Sequence, residues 1–186
     1  ARAETNVRFP AKDGTTLEGY LSLPDIDGPV PGVLMIHEWW GLNKDIALLA
    51  DALSKEGFAV LAPDAFRGSV ASTPAEAMQQ IRNTPQDQIA SDLDSALEFL
   101  KSHRDVDAER VVSLGFCFGG TQSMRMGTRR PDLAAVVIFY GGGPIEDPEE
   151  IGSMKEAGPV LGIYGEEDRS IPPAKLDAFE SALTAR

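Results

Sequence analysis

Hydrophobic residues along the chain alternate between two patterns. Consecutive apolar residues, many of them β-branched, are typical of strands buried on both faces; they occur at 32–36, 58–61, 111–114, 134–140 and 159–164. Apolar residues at helical spacing predict helices at 43–56, 74–81, 85–101 and 173–184. Two earlier runs, 5–10 and 16–23, flank an Asp-Gly turn and predict a hairpin. We therefore predict a single α/β domain over residues 1–186, with a mostly parallel central sheet, flanking helices and an N-terminal antiparallel hairpin.

The stretch 110–127 has the pattern of a nucleophile elbow. A β-branched run at 111–114 is followed by Gly115-Phe116-Cys117-Phe118-Gly119 and then by a segment compatible with a helix. In the G-x-S-x-G motif a sharp strand-to-helix turn exposes the central side chain, and the flanking glycines leave room for that turn. Here cysteine takes the serine position. The helix N-terminus would favour the Cys117 thiolate, and the Phe118 N–H could bind a developing oxyanion. We interpret Cys117 as a nucleophile; the alternative is a buried cysteine that packs as a small hydrophobe.

Composition argues against several classes of partner and cofactor. The 186 residues carry a net charge of −12 with a pI near 4.5, which argues against nucleic acid or an anionic membrane as a partner. The single cysteine rules out an internal disulfide. No apolar run reaches the length of a membrane span and no signal peptide is recognisable, so we expect a soluble protein, cytoplasmic in preference to exported. The sequence contains no metal-ligand cluster and no phosphate-binding glycine loop, so we expect no metal and no cofactor.

Two acidic residues follow the ends of predicted buried strands. Glu38 comes directly after the strand at 32–36, where a carboxylate is costly unless it is paired. It is either a functional residue or a surface loop residue. Asp168 follows the strand at 159–164, next to Glu166 and Glu167, and is either functional or a solvated loop or turn residue.

Four stretches together resemble the dienelactone hydrolase family of the α/β-hydrolase fold. They are His37-Glu38-Trp39-Trp40-Gly41, Pro63-Asp64-Ala65-Phe66-Arg67-Gly68, Gly115-Phe116-Cys117-Phe118-Gly119-Gly120 and Gly165-Glu166-Glu167-Asp168-Arg169-Ser170-Ile171-Pro172. The resemblance extends over essentially the whole chain. The cysteine elbow combined with the H-E-x-x-G stretch is more specific than either motif alone. The resemblance implies a carboxylic ester hydrolase, similar to carboxymethylenebutenolidases, that acts on activated esters or lactones through an acyl-enzyme.

The same resemblance implies catalytic roles for three side chains and two backbone groups. Cys117 matches the family nucleophile, and Asp168 matches the acid that orients a histidine in the triad. Glu38 matches a glutamate that contacts the resting thiol and takes its proton when substrate arrives. The backbone N–H groups of Phe118 and Trp39 match the oxyanion hole.

Substrate contacts are expected from one cation and several aromatic residues. Arg67 lies where the family has an arginine that can bind a substrate carboxylate, although an arginine in a loop is usually just solvated. A protein of charge −12 that accepts an anionic substrate needs such a local cation, because distant charges are screened. The aromatic side chains expected to wall an apolar pocket, or else to belong to the core, are Trp39, Trp40, Phe66, Phe118 and Tyr140.

The position of the histidines departs from the family pattern. The triad histidine should follow Asp168, but the sequence contains only His37 and His103, both earlier in the chain. His103 follows the predicted helix at 85–101 and is interpreted as a solvated residue favoured by the helix dipole. His37 shares the loop of Glu38 and is not assigned the role of general base. We therefore expect a chain that lacks the last strand, the histidine loop and a C-terminal helix, with a further fragment of the same protein supplying the histidine.

Two other functions remain open at the level of sequence. A hydrolase fold without its base could be a non-catalytic protein that binds small molecules. A thiol at a helix N-terminus could be a redox sensor, although no resolving cysteine is present. The hydrolase interpretation predicts a small ester or lactone as substrate and leaves its identity open.

Overall fold

The computed structural model describes residues 1–142, 147–166 and 171–184. The strands in these ranges are β1 Val7–Pro10, β2 Thr16–Ser22, β3 Val30–Ile36, β4 Ala59–Pro63, β5 Val106–Phe116, β6 Ala135–Phe139 and β7 Val160–Ile163. The helices are α1 Lys44–Ser54, α2 Pro74–Asn83, α3 Gln86–Ser102, α4 Phe118–Arg129, α5 Pro148–Ser153 and α6 Pro173–Thr184, with a 3₁₀ helix at Met154–Glu156.

The described strands pair in one sheet, in the order β1-β2-β4-β3-β5-β6-β7. β1 and β2 form the predicted hairpin, and β2 also runs antiparallel to β4. The pairs β3–β4, β3–β5, β5–β6 and β6–β7 are all parallel. The prediction of a mostly parallel sheet with an N-terminal antiparallel hairpin is confirmed.

Strand β3 is buried on both faces, as its continuous apolar sequence predicts. Leu34 and Ile36 pack in the layer that contains the apolar stripe of α3, whereas Val33 and Met35 pack in the layer that contains α1. None of these four side chains is more than 2% exposed. Burying an aliphatic side chain of this size contributes roughly 1.5–3 kcal/mol. The two apolar layers therefore hold β3 firmly, and with it the loop that begins at its carboxyl end.

The order of the strands favours a crevice at the carboxyl end of β3. From β3 the chain passes first to β4 on one side and later to β5 on the other. Such a reversal in a parallel sheet leaves room between the two loops that follow the central strands, and ligands bind there in open α/β sheets. The register aligns Ile36 of β3 with Gly115 of β5. The loops carrying Glu38 and Cys117 therefore begin side by side.

Helices α1, α3 and α4 pack against strands of the sheet. The predicted apolar stripe of α3 is buried, from Ile89 and Leu93 to Leu100. At 17 residues α3 is the longest helix in the described ranges. In that part of the chain, no helix combines the length and the apolar character needed to cross a bilayer.

Most predicted boundaries lie within two residues of those in the structure, and β5 and α5 differ more. β5 begins at Val106, five residues before the apolar run that predicted it, and the pairing register with β3 shifts there. Helix α5 was not predicted, although the Asp147 side chain caps it by accepting the Glu149 N–H at 2.9 Å. Six residues are too few to display a helical apolar stripe, so only this start signal was available.

Candidate active site

The turn between β5 and α4 has the geometry of a nucleophile elbow. Cys117 adopts φ 55° and ψ −113°, a strained conformation for a residue other than glycine. A Cβ on Gly115 would lie 1.9 Å from the Gly119 carbonyl oxygen. A Cβ on Gly119 would lie 2.1 Å from the Ile36 carbonyl oxygen. Both positions therefore require glycine. The strand–turn–helix conformation expected around Cys117 is present.

Hydrogen bonds fix the Cys117 backbone to neighbouring elements. Its N–H donates to the Phe139 carbonyl at the end of β6 at 2.9 Å, and its carbonyl accepts from the Thr121 N–H in the first turn of α4 at 3.1 Å. The side chain is partly exposed and stands at the N-terminus of a twelve-residue helix. The positive end of the helix dipole stabilises negative charge that forms on the sulfur during attack.

The Phe118 and Trp39 N–H groups are both compatible with an oxyanion hole. Phe118 is the first residue of α4, so its N–H has no acceptor within the helix. Trp39 lies in a turn whose own hydrogen bond runs from the Gly41 N–H to the Glu38 carbonyl, at 3.1 Å, and leaves the Trp39 N–H out. The two groups follow strands that are neighbours in the sheet.

Tyr140, Glu38 and Cys117 lie in one neighbourhood. The pKa of the Tyr140 hydroxyl is raised mainly by burial, and further by the charges of Glu38 and Cys117. Tyr140 follows β6 directly and adopts φ 38°, with 42% of its surface exposed. The structure thus brings together three of the residues that the sequence proposed for one site.

Glu38 is half-buried, and its carboxyl group is harder to ionise than an ordinary glutamate. The pKa of Glu38 is raised, first by desolvation and then by the negative charge of Asp45 in the first turn of α1. A raised pKa makes the carboxylate a better proton acceptor. This property suits a residue that receives the proton of a neighbouring thiol.

The aromatic residues divide into two groups. The Trp39 and Trp40 rings meet edge to face with centroids 5.4 Å apart, and both residues are partly exposed. Phe66 is only 5% exposed, with its ring centroid 5.0 Å from those of His37 and Phe118. Phe66 packs in the core and offers a ligand little surface, which fits the core alternative, and its role as a substrate contact stays a prediction.

The Arg67 guanidinium is bound by side chains of the protein itself. It donates to both carboxylate oxygens of Asp92, at 2.8 and 2.9 Å, and to Asp13 at 3.0 Å. A further bond reaches the Thr15 hydroxyl at 3.2 Å. The carboxylates accept from Nε and Nη2, and Nη1 donates to Thr15, so most of the guanidinium already binds groups of the protein. Arg67 therefore joins parts of the protein, and its predicted contact with a substrate carboxylate stays a prediction.

His37 and His103 are both unsuited to serve as the general base. His37 is fully buried, and each of its ring nitrogens contacts a backbone group. His103 follows α3 at the amino end of β5, whereas Cys117 follows its carboxyl end. The paired strand β3 spans seven residues over this length, so His103 and Cys117 are more than about 20 Å apart. Asp168, the predicted triad acid, lies outside the described residues.

Sequence reasoning did not single out two buried polar residues beside the site, Asp64 and Gln80. Asp64, 3% exposed, accepts from the Phe66 and Gly68 N–H groups at 3.1 and 2.7 Å and from Arg2 at 2.9 Å. Gln80 on α2 accepts the Ser69 hydroxyl and donates to the Trp39 carbonyl. Asp64 directly follows β4, and Glu38 follows β3 after one intervening residue, so the same sequence signal could have identified Asp64.

Comparisons with known proteins identify the family. A sequence model of the dienelactone hydrolase family matches residues 17–186. Protein usf of Aquifex pyrophilus is 34% identical over 167 residues, which cover 86% of this chain and 70% of that protein.

Solved structures show the same relationship. The structure of m3DLH is 29% identical, with a TM-score of 0.80 over 95% of this chain and 74% of that one. The dienelactone hydrolase-like promiscuous phosphotriesterase P91 from metagenomic libraries is 26% identical, with a TM-score of 0.81 over 95% of this chain and 74% of that one. The chain therefore belongs to the dienelactone hydrolase family and has the α/β-hydrolase fold.

Proposed function

We propose that the protein hydrolyses activated carboxylic esters or lactones through a thioester formed on Cys117. The observation that carries the proposal is the strained Cys117 backbone at the elbow, between β5 and the N-terminus of α4. A lone cysteine in the core would not need a backbone conformation of this cost. The family is one of hydrolases that open lactones, which are cyclic carboxylic esters.

The proposed acylation step uses Glu38 as the acceptor of the thiol proton. The Sγ–H proton of Cys117 passes to the Glu38 carboxylate while Sγ bonds to the substrate carbonyl carbon. The carbonyl oxygen takes the electron pair of the broken π bond. As an oxyanion it would accept hydrogen bonds from the Phe118 and Trp39 N–H groups. Collapse of this adduct re-forms the carbonyl and expels the leaving oxygen as an enolate or phenolate, which leaves a thioester on Cys117.

Deacylation returns the enzyme to its resting thiol. Water adds to the thioester carbonyl while a general base takes its proton. The C–S bond then breaks and releases the carboxylic acid, the Cys117 thiolate takes back its proton from Glu38, and the base gives up its proton to the earlier leaving oxyanion or to solvent. Because His37 and His103 are unsuited to this role, we propose that a histidine of a further segment of the same protein, oriented by Asp168, acts as that base. Denaturing the purified native protein should then release a second, histidine-containing species in its mass spectrum, or the intact mass should exceed that of residues 1–186.

The substrate pocket is proposed to lie above the crevice between β3 and β5. Trp39, Trp40 and the exposed part of Tyr140 would form its apolar wall. A substrate with a stable leaving oxyanion suits this arrangement, since a neutral thiol is a weak nucleophile until Glu38 takes its proton. An amide, whose leaving group is poor, is not an expected substrate.

The experiment is acylation of the single cysteine by an aryl ester, followed by mass spectrometry. The wild-type protein should gain the mass of one acyl group on Cys117 before steady-state release. Cys117→Ala should lose turnover by about 10³-fold or more, with an unchanged near-UV circular dichroism spectrum.

Three outcomes would overturn the proposal. Unchanged turnover in Cys117→Ala would reject the nucleophile. Stoichiometric ester binding without acylation would favour the non-catalytic binding protein. Reversible oxidation of Cys117 by peroxide, without acylation, would favour the redox sensor.

A further inference from the structure

The peptide unit between Glu38 and Trp39 links His37 to the proposed oxyanion hole. The Glu38 carbonyl and the Trp39 N–H belong to the same planar unit. His37 Nδ1 lies 2.7 Å from the Glu38 carbonyl oxygen. In a trans peptide the C=O and N–H bonds point in opposite directions, so a group that holds the carbonyl also aims the N–H.

A second contact determines which ring nitrogen of His37 carries the proton. The Ala65 N–H, in the turn after β4, donates to His37 Nε2 at 3.1 Å. Nε2 must therefore carry a lone pair, and Nδ1 carries the hydrogen. His37 Nδ1–H is consequently the donor and the Glu38 carbonyl the acceptor.

The imidazole is held firmly in this orientation. His37 is fully buried, with its ring centroid 5.0 Å from Phe66 and 6.0 Å from Phe118, to which it is nearly parallel. Asp64 fixes the turn that supplies Ala65 by accepting two of its backbone N–H groups. Burial lowers the pKa of His37 although Asp64 opposes the shift, and the neutral form is the one that both hydrogen bonds require.

We propose that His37 is a positioning residue that orients the Trp39 N–H toward the substrate carbonyl oxygen through the shared Glu38–Trp39 peptide. The bond from Nδ1–H also polarises that peptide, because electron density drawn to the Glu38 oxygen makes the Trp39 N–H a stronger donor. This inference rests on the proposed acylation of Cys117. It gives the buried histidine a task in transition-state stabilisation, in addition to its packing in the core.

Two substitutions separate positioning from packing. His37→Asn keeps a donor near the place of Nδ1, whereas His37→Gln places its amide near Nε2 and loses the donor to Glu38. Both remove the ring, and Asn, one methylene smaller than Gln, leaves the larger gap, so better activity in His37→Asn would not come from packing. His103→Gln, far from the site, serves as the matched control.

Two reactions of Cys117 separate an oxyanion effect from general damage. Acylation by an aryl ester develops an oxyanion, whereas alkylation by iodoacetamide does not. We expect His37→Gln to slow acylation by about 10–100-fold, to leave alkylation within about twofold, and to be partly rescued in His37→Asn. Equal loss in both variants, or parallel loss of acylation and alkylation, would overturn the inference.

A measurement on the wild-type protein keeps this test separate from that of the proposed function. Nitrogen-15 NMR of His37 should show one neutral tautomer with its hydrogen on Nδ1. An imidazolium, or hydrogen on Nε2, would reject the hydrogen-bond arrangement whether or not the protein is an esterase. If Cys117 is alkylated but never acylated while this tautomer is present, the proposed function fails and His37 retains only a structural role.

Discussion

At the scale of single residues, Glu38 has an ionisation suited to its proposed role. Desolvation is the main cause of its raised pKa, and the charge of Asp45 adds to it. The carboxylate form accepts the thiol proton, so activity should fall as the pH drops through the pKa of Glu38. Because that pKa lies above the ordinary glutamate value, the loss should begin at a higher pH than for an exposed carboxyl group.

Asp45→Asn should shift the acid limb of kcat/KM to lower pH. Removing the negative charge stabilises the Glu38 carboxylate and lowers its pKa, so the active form persists further into acid. Asp45 is exposed, so we expect a shift of a few tenths of a pH unit that shrinks in high salt. Glu56→Gln, an exposed acid just past the end of α1, is the control. A shift toward higher pH in Asp45→Asn, or the same shift in both variants, would contradict this assignment.

At the scale of elements, Arg67 connects three parts of the fold. It lies in the turn after β4 and binds Asp92 on α3 as well as Asp13 and Thr15 beside the β1–β2 hairpin. The Asp92 side chain is 4% exposed, so the guanidinium, and not water, stabilises most of its charge. The pKa of Arg67 is raised, chiefly by Asp92, which keeps the guanidinium ionised. The arrangement is that of a structural ion pair in which Asp92 is buried and Arg67 is partly exposed.

Arg67→Ala should lower the free energy of unfolding by about 3 kcal/mol, because it leaves the Asp92 carboxylate buried without its partner. Urea denaturation measures this loss. Asp13→Asn, at an exposed position, should change the urea midpoint little, and replacing both Arg67 and Asp92 by apolar residues should restore much of the stability. In folded Arg67→Ala, the ratio of KM for a carboxylated ester to KM for a neutral ester should stay within about twofold of the wild-type ratio. A much larger ratio than in the wild-type protein would support the role of Arg67 in binding the substrate carboxylate.

Local sequence patterns predicted the strands and helices well, whereas contacts between residues far apart in the sequence could not be predicted. Asn43 caps α1 as expected, with its side chain accepting the Ile46 N–H at 3.1 Å, because a cap depends on residues three apart. The elbow around Cys117 was visible for the same reason. The bond from Ala65 to His37 joins residues 28 apart, and the Arg67–Asp92 pair joins residues 25 apart. Such contacts depend on how the strands are ordered, which no local pattern specifies.

At the scale of the whole molecule, strand order assembles the site from separate loops. Glu38, Cys117 and Tyr140 follow β3, β5 and β6, which are consecutive in the sheet. The apolar runs predicted these strands, and the sequence shows which polar residues follow each of them. They left open that β3 and β5 are direct neighbours, which places Glu38 beside the elbow.

The net charge of −12 should repel an anionic substrate. We expect Arg67 to offset this repulsion only weakly, since its guanidinium is already paired with Asp92 and Asp13. At about 0.01 M ionic strength the Debye length is roughly 30 Å, so the charge of the whole molecule reaches an approaching ligand; at about 0.5 M it does not. We therefore expect kcat/KM for a carboxylated aryl ester to rise several-fold with salt over this range.

The matched control is the uncharged ester with the same leaving group, whose kcat/KM should stay nearly constant. Dividing one rate by the other removes any effect of salt on the chemistry itself. A fall in that ratio with salt would mean that a local cation attracts the carboxylate, and Arg67 would be the first residue to test for that role. A ratio that does not change with salt would mean that the acidic surface lies away from the path by which the ester reaches Cys117.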